Sequence, residues 1–229
     1  MVGYQAEANT CKNRDTFSIC VLSVSLTPKS ITISDFAPGS DLHELKTFLS
    51  ARLLWNISRV PNDEIAFFLK TYYGEGAASV KLYMDTMVGS MASEGFCRAD
   101  GGQSITFPPT VPFLSPMAVL TSIQGFKEGE AATASVPKHH FRVQRAAMSS
   151  RFVALLRWDE FRHFATTHAI PWPLESSKHE AYAQWELLVN RTMQSPLCLH
   201  CGNGEHDRLQ EASSLTGLHP SRRWRAAVQ

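Results

Sequence analysis

Cys198, Cys201 and His206 are the residues best placed by type and spacing to do chemistry. They stand in the run Cys198-Leu-His-Cys201-Gly-Asn-Gly-Glu-His206. Thiolate and imidazole are the ligands zinc prefers, and four of them in a tetrahedron complete a structural site. The run supplies three. A compact site of this kind takes as its fourth ligand a cysteine at position 211, where the chain has Glu211, and a glycine before the histidine, where it has Glu205. His200 and His219 are the substitutes at hand, both at abnormal spacing. The competing expectation is a tail with two close thiols and no metal. Zinc is the one cofactor that these residues suggest.

A completed site of this pattern would be a zinc knuckle, a module that grips single-stranded nucleic acid. Arg208, Arg222, Arg223, Trp224 and Arg225 follow it, and arginine and tryptophan both stack on bases. Glu205, Asp207 and Glu211 oppose that use.

The remaining titratable groups do not assemble into a catalytic set. Glycoside hydrolysis needs two carboxyl groups flanking the scissile bond. Asp159 and Glu160 are neighbours on an expected helix and so point apart; Asp85 and Glu94 fall at a helix end and in a loop. An ordinary ion pair, such as Asp159 with Arg162, accounts for such charges better. His139 and His140 diverge by about 100° on a helix, and His163 and His168 are too poorly spaced to share a face. Surface or packing roles are expected for all four. Lys138, Arg142 and Arg145 do share a face, which admits an anion site but fits a solvated face better. There is no H-E-x-x-H, nucleophile elbow, Walker loop or dinucleotide fingerprint.

Composition bounds the class. The chain has 229 residues, 44% of them hydrophobic, enough for one domain with a sizeable core. A net charge of +1 gives no global field toward nucleic acid or an acidic membrane. Five cysteines at 11, 20, 97, 198 and 201 are too scattered, and odd in number, for a disulfide framework. The apolar run at 17–26 is shorter than the ~20 residues a membrane helix needs. A long polar leader precedes it and no A-x-A-like site follows, so a short buried strand is expected there rather than a signal peptide.

The elements that would position these residues are helices. Ser40 or Asp41, with Glu44 three residues after Asp41, reads as a capping box, and Leu42, Leu45, Leu49 and Leu53 form a stripe through Trp55. A second helix opens near Asn62, buries Ile65, Phe68, Leu69 and Tyr72, and stops at Gly74. A third, over 75–91, turns Val80, Tyr83, Met84 and Met87 inward. Glycines and prolines make 95–114 a loop. Ser115-Pro116 starts a fourth helix with Val119, Leu120, Ile123 and Phe126 inward, weakened by Gly125 and Gly129. Pro137 opens a fifth and longest helix reaching about His168, apolar on every face in its second half and therefore central. Ser177 and Glu180 form another capping box ahead of a sixth, with Tyr182, Trp185 and Val189 inward. The expected fold is mainly α, about six helices in an irregular bundle over 37–194, between an irregular segment 1–36 and a poorly ordered tail 195–229.

Several blocks together resemble a known family. They are Ala37-Pro-Gly-Ser-Asp-Leu-His-Glu-Leu-Lys-Thr-Phe-Leu, Ala51-Arg-Leu-Leu-Trp-Asn56, Phe68-Leu-Lys-Thr-Tyr-Tyr-Gly74, Val143-Gln-Arg-Ala, Leu155-Leu-Arg-Trp-Asp-Glu160 and Trp172-Pro-Leu-Glu-Ser-Ser-Lys178. The set is similar to the helical C-terminal region of the domain of unknown function 4838 family. Those glycoside-hydrolase-like proteins join a hexosaminidase- or α-glucuronidase-type (β/α)8 barrel to helices. Only about forty residues precede the block at Gly39, whereas eight strand–helix units need ~200 or more. The resemblance therefore implies a fragment or an incomplete gene model without its barrel. The implied role is that of an accessory domain, inactive alone, whose partners are a barrel domain or carbohydrate. No catalytic residue of the family has a position here to be carried to. Trp55, Tyr72, Tyr73, Trp158 and Trp172 could stack on a sugar, but most are expected in the core. The alternatives are a nucleic-acid-binding module with a zinc-stabilised tail and a free-standing helical protein-interaction domain.

Overall fold

A computed structural model describes residues 41–94 and 109–193. Among the described residues the chain is mainly helical and forms no strand. The helices are α1 (His43–Trp55), α2 (Pro61–Tyr73), a short 3-10 turn (Gly74–Gly76), α3 (Ala77–Ser93), α4 (Pro116–Ala132), α5 (Pro137–Ala146), α6 (Met148–Leu156), α7 (Trp158–Thr167) and α8 (Lys178–Met193). The segment 1–36, the loop as far as residue 108 and the tail 195–229 lie outside the described residues; residues 109–114 form turns.

Local signals explain two of the helix starts. Ser115 accepts a hydrogen bond from the Ala118 amide at 3.3 Å, and Pro116 takes the first helical position, where its missing donor costs nothing. Ser177 Oγ likewise accepts from the Glu180 amide at 3.2 Å. The capping box expected at Asp41 does not form. Leu42 takes a left-handed conformation at the N-cap, with φ 48° and no side-chain cap. Asp41 is drawn away instead, accepting the Tyr83 hydroxyl at 2.6 Å, and Glu44 pairs with Arg145. The tertiary partners outcompete the local cap.

The six expected helical stretches are present as eight helices, because the expected helix over 137–168 is three. The bends fall at Ala147 (φ −75°, ψ −12°) and Arg157 (φ −109°, ψ 34°). Hydrogen bonds of the i→i−4 type run through both, from Ala147 N to Val143 O and from Phe161 N to Arg157 O. Arg157 is held in its bend by donating to the carbonyls of Leu114 at 2.6 Å and Pro109 at 3.1 Å. Bending also explains the apolar residues on every face. Val153, Ala154, Phe161 and Ala165 enter the main core, shared by α1 to α7. Leu155 and Trp158 instead join Ala181, Tyr182, Trp185 and Val189 of α8 in a second cluster. Trp172 and Leu174 pack against both clusters.

α3 and α4 form the most extensive helix pair, running antiparallel. Their register is marked by Ser79 against Gly129, Leu82 against Gly125 and Tyr83 against Phe126. A Cβ built at Gly129 would lie 2.7 Å from Ser79 Cβ, and one at Gly76 would lie 2.4 Å from Val143 Cγ2. Gly129, which weakens α4 as an isolated helix, is therefore what admits Ser79.

Three alanine substitutions should separate these roles. Gly129→Ala should destabilise the fold by ~1–3 kcal/mol, because overpacking against Ser79 exceeds the ~1 kcal/mol gain in helix propensity. Gly125→Ala should be close to neutral, since it meets only the mobile end of the half-exposed Leu82. Gly89→Ala, exposed with nothing within 4 Å, should stabilise by up to ~1 kcal/mol. Urea unfolding midpoints check all three; a stabilising Gly129→Ala would contradict the close packing.

Candidate functional site

The strongest sequence motif, Cys198, Cys201 and His206 with His200, Glu211 and His219 around it, lies outside the described residues. Among the described residues no group of three or more His, Cys, Asp or Glu could hold a metal.

The histidines take both packing and surface positions. His140 Nδ1 bonds the Glu130 carbonyl at 2.9 Å, and His139 lies against Gly74, whose φ of 57° and lack of a Cβ leave room for the ring. His168 stacks on Phe164 with ring centres 4.0 Å apart and bonds its carbonyl, while His163 is exposed.

The basic face of α5 is neither an anion site nor a simple solvated face. Arg142 donates to the Tyr72 carbonyl at 2.8 Å and lies 3.7 Å from the Tyr72 ring centre, and Arg145 pairs with Glu44. Only Lys138 is left in solvent. The two arginines tie α5 to α1 and α2.

Nor do the candidate acids pair. Asp159 and Glu160 are both exposed. The ion pair expected between Asp159 and Arg162 gives way to Arg157 with Glu160, and Arg162 lies over the Trp172 ring at 4.9 Å. Hydrogen bonds from Arg157 hold the Glu160 carboxyl below its ordinary value. A glycosidic general acid needs the opposite shift. Asp85 pairs with Lys81 at 2.6 Å in solvent, and Glu94 is exposed at the end of α3. Burial raises the Asp41 carboxyl, against the lowering effect of the Tyr83 hydroxyl. Its acidic neighbour Glu44 is committed to Arg145.

The aromatics divide sharply. Tyr73 and Trp158 are buried, and Tyr72 and Trp172 are half-buried beside the core. Trp55, expected to continue the inner stripe of α1, is 90% exposed. Ile57 in the following turn is 83% exposed, and Val60 and Phe67 are exposed as well. Trp55 leaves the core because it stands two residues past Leu53, about 200° around the helix, and the chain then reverses through Asn56, whose Oδ1 accepts from the Ser58 amide at 3.0 Å and hydroxyl at 2.7 Å. Beneath this corner Glu64 is buried and accepts from Arg52 at 2.9 Å and from Arg59. Arg52 also lies over the rings of Phe48 and Phe67. The result is an ordered turn carrying large apolar side chains outward. Sequence reading missed it, although Ile57 and Val60 between polar loop residues were a signal.

Glu64 makes a pH-dependent prediction. Its partners lower its carboxyl below the ordinary 4.5, so the stabilisation is complete above that value and lost as pH falls through the lowered one. Glu64→Gln should therefore cost stability at about pH 7, and the gap to the native chain should narrow as pH falls below 4.5. Urea midpoints at neutral and at acid pH test this; a gap that widens in acid would refute the assignment.

No family model matches the chain, and no curated protein or solved structure matches it either.

Proposed function

We propose that the chain is a helical accessory domain that docks on a partner protein and performs no catalysis of its own. The observation that carries the reading is the corner between α1 and α2. Trp55 and Ile57 project from a turn fixed by Asn56, on a platform in which Arg52 and Arg59 hold Glu64. Exposed apolar groups on an ordered turn lose little freedom when covered, and tryptophan is prominent among the residues that dominate interface energies. Large exposed apolar patches on a well-packed body mark interaction sites.

The resemblance names the partner. Trp55 lies within Ala51-Arg-Leu-Leu-Trp-Asn56, one of the blocks similar to the helical region that follows a (β/α)8 barrel. The occupant of the corner is accordingly a barrel domain of glycoside-hydrolase type, and the protein it serves is carbohydrate-active. The arrangement of acids supports the non-catalytic half of the reading. Two carboxyl groups roughly 5 to 10 Å apart across a cleft are required, and the adjacent acids Asp159 and Glu160 are exposed on the outside of α7.

Titration of the chain with a separately expressed barrel domain of the resembled family tests the docking. A one-to-one complex is expected, weakened about tenfold or more by Trp55→Ser with Ile57→Ser, at an unchanged thermal midpoint. Equal binding by the variant, or no complex with the native chain, would overturn it. The folded chain, checked by a cooperative thermal transition, should show no turnover of glucuronide or N-acetylhexosaminide substrates. Turnover abolished by Asp159→Asn or Glu160→Gln would defeat the claim that the domain is non-catalytic.

A further inference from the structure

The tripeptide Asn-x-Ser/Thr, with no proline in the middle, stands twice in the chain: Asn56-Ile57-Ser58 and Asn190-Arg191-Thr192. It is the acceptor pattern for N-linked sugars, and it belongs to accessible surface segments. The fold treats the two copies in opposite ways.

Asn56 directly follows α1 and is extended, with φ −148° and ψ 101°. Asn56, Ile57 and Ser58 are all exposed. Asn56 Oδ1 accepts from the Ser58 hydroxyl at 2.7 Å and from the Ser58 amide at 3.0 Å. Its backbone carbonyl accepts from the Arg59 amide at 3.3 Å. An asparagine side chain that bonds the backbone two residues on makes a local turn. This turn also sets the hydroxyl of the third residue against the side-chain amide of the first. The asparagine and the hydroxyl that the pattern requires are thus offered to an enzyme as one preformed unit. The nitrogen that takes the sugar, Nδ2, has no part in these bonds.

Asn190 lies inside α8, where side chains two residues apart point about 200° away from each other. Thr192 is buried, and its hydroxyl donates to the Leu188 carbonyl at 2.9 Å. That hydroxyl meets the Asn190 amide only if α8 unwinds.

We propose that Asn56 is an N-glycosylation acceptor of the folded chain and that Asn190 is not. The donor is an oligosaccharide carried on a lipid pyrophosphate, delivered by a membrane-bound transferase. Nδ2 bonds to C1 of the sugar next to the pyrophosphate. The C1–oxygen bond breaks, the lipid pyrophosphate leaves with its electron pair, and Nδ2 loses one proton. The exposed side chains of Trp55 and Ile57 flank the acceptor. An attached glycan is bulky and solubilising, so it covers the corner proposed for docking and closes it to a barrel. The acceptor itself rests on the turn and not on the docking reading.

The test incubates the folded, intact chain with solubilised microsomal oligosaccharyltransferase and a lipid-linked oligosaccharide. A mass gain of one oligosaccharide is expected, mapped to Asn56 by peptide mass spectrometry. Peptide N-glycosidase should remove it and leave an aspartate in place of the asparagine. Asn56→Gln and Ser58→Ala should abolish the gain, Ser58→Thr should keep it, and Asn190→Gln should leave it unchanged. Native thermal midpoints of the variants would show that a loss of transfer is not misfolding. No transfer to Asn56, transfer kept by Ser58→Ala, or transfer to Asn190 in the folded chain would each overturn the assignment. No barrel takes part in the assay, so its outcome is separate from that of the docking titration.

Discussion

The fold turns on one close approach, that of α3, α4 and α5 around Gly76, Gly129 and Val143. Val143 is fully buried, with its two methyl groups directed at positions where a side chain on either glycine would lie. Thr133 closes the arrangement by donating its hydroxyl to the Gly129 carbonyl at 2.7 Å. A packed interior adjusts poorly to even one extra methyl group, so this junction sets the spacing of all three helices. Everything that follows α5 inherits its direction. The bends at Ala147 and Arg157 then steer α6 and α7 alternately toward the main core and toward α8.

Charged side chains in this body mostly bind helix to helix. Arg145 reaches Glu44, Arg142 reaches the Tyr72 carbonyl, Arg151 reaches Glu130, and Arg157 reaches the carbonyls that precede α4. Half-buried pairs of this kind add little net stability, since desolvation offsets much of the attraction. Their effect is on register: a helix slipped by a residue would leave a charge buried and unpaired. This is why, of the basic residues on the face of α5, only Lys138 is left in solvent. Function, on this view, belongs to surfaces left over after the helices are tied. The apolar corner at Trp55 is one such surface.

Period and capping made the helices legible from sequence. Val80, Tyr83, Met84 and Met87 of α3, and Val119, Leu120, Ile123 and Phe126 of α4, recur at helical spacing and are buried as expected. Ser115-Pro116 and Ser177 act over three residues, within the reach of local chemistry. These features are properties of neighbouring residues, and neighbouring residues are what a sequence displays. For the same reason the divergence of Asp159 and Glu160 on one helix could be read without a fold.

Only the tertiary structure decided the rest, because each remaining feature depends on a partner far along the chain. Asp41 abandons its cap for Tyr83, 42 residues away. The bend at Arg157 is secured by carbonyls 43 and 48 residues earlier. Gly129 weakens an isolated helix and becomes indispensable only when Ser79 and Val143 are placed against it. Periodicity records which face of a helix is apolar, but the partner of that face, and any hollow left between partners, is set by three-dimensional packing.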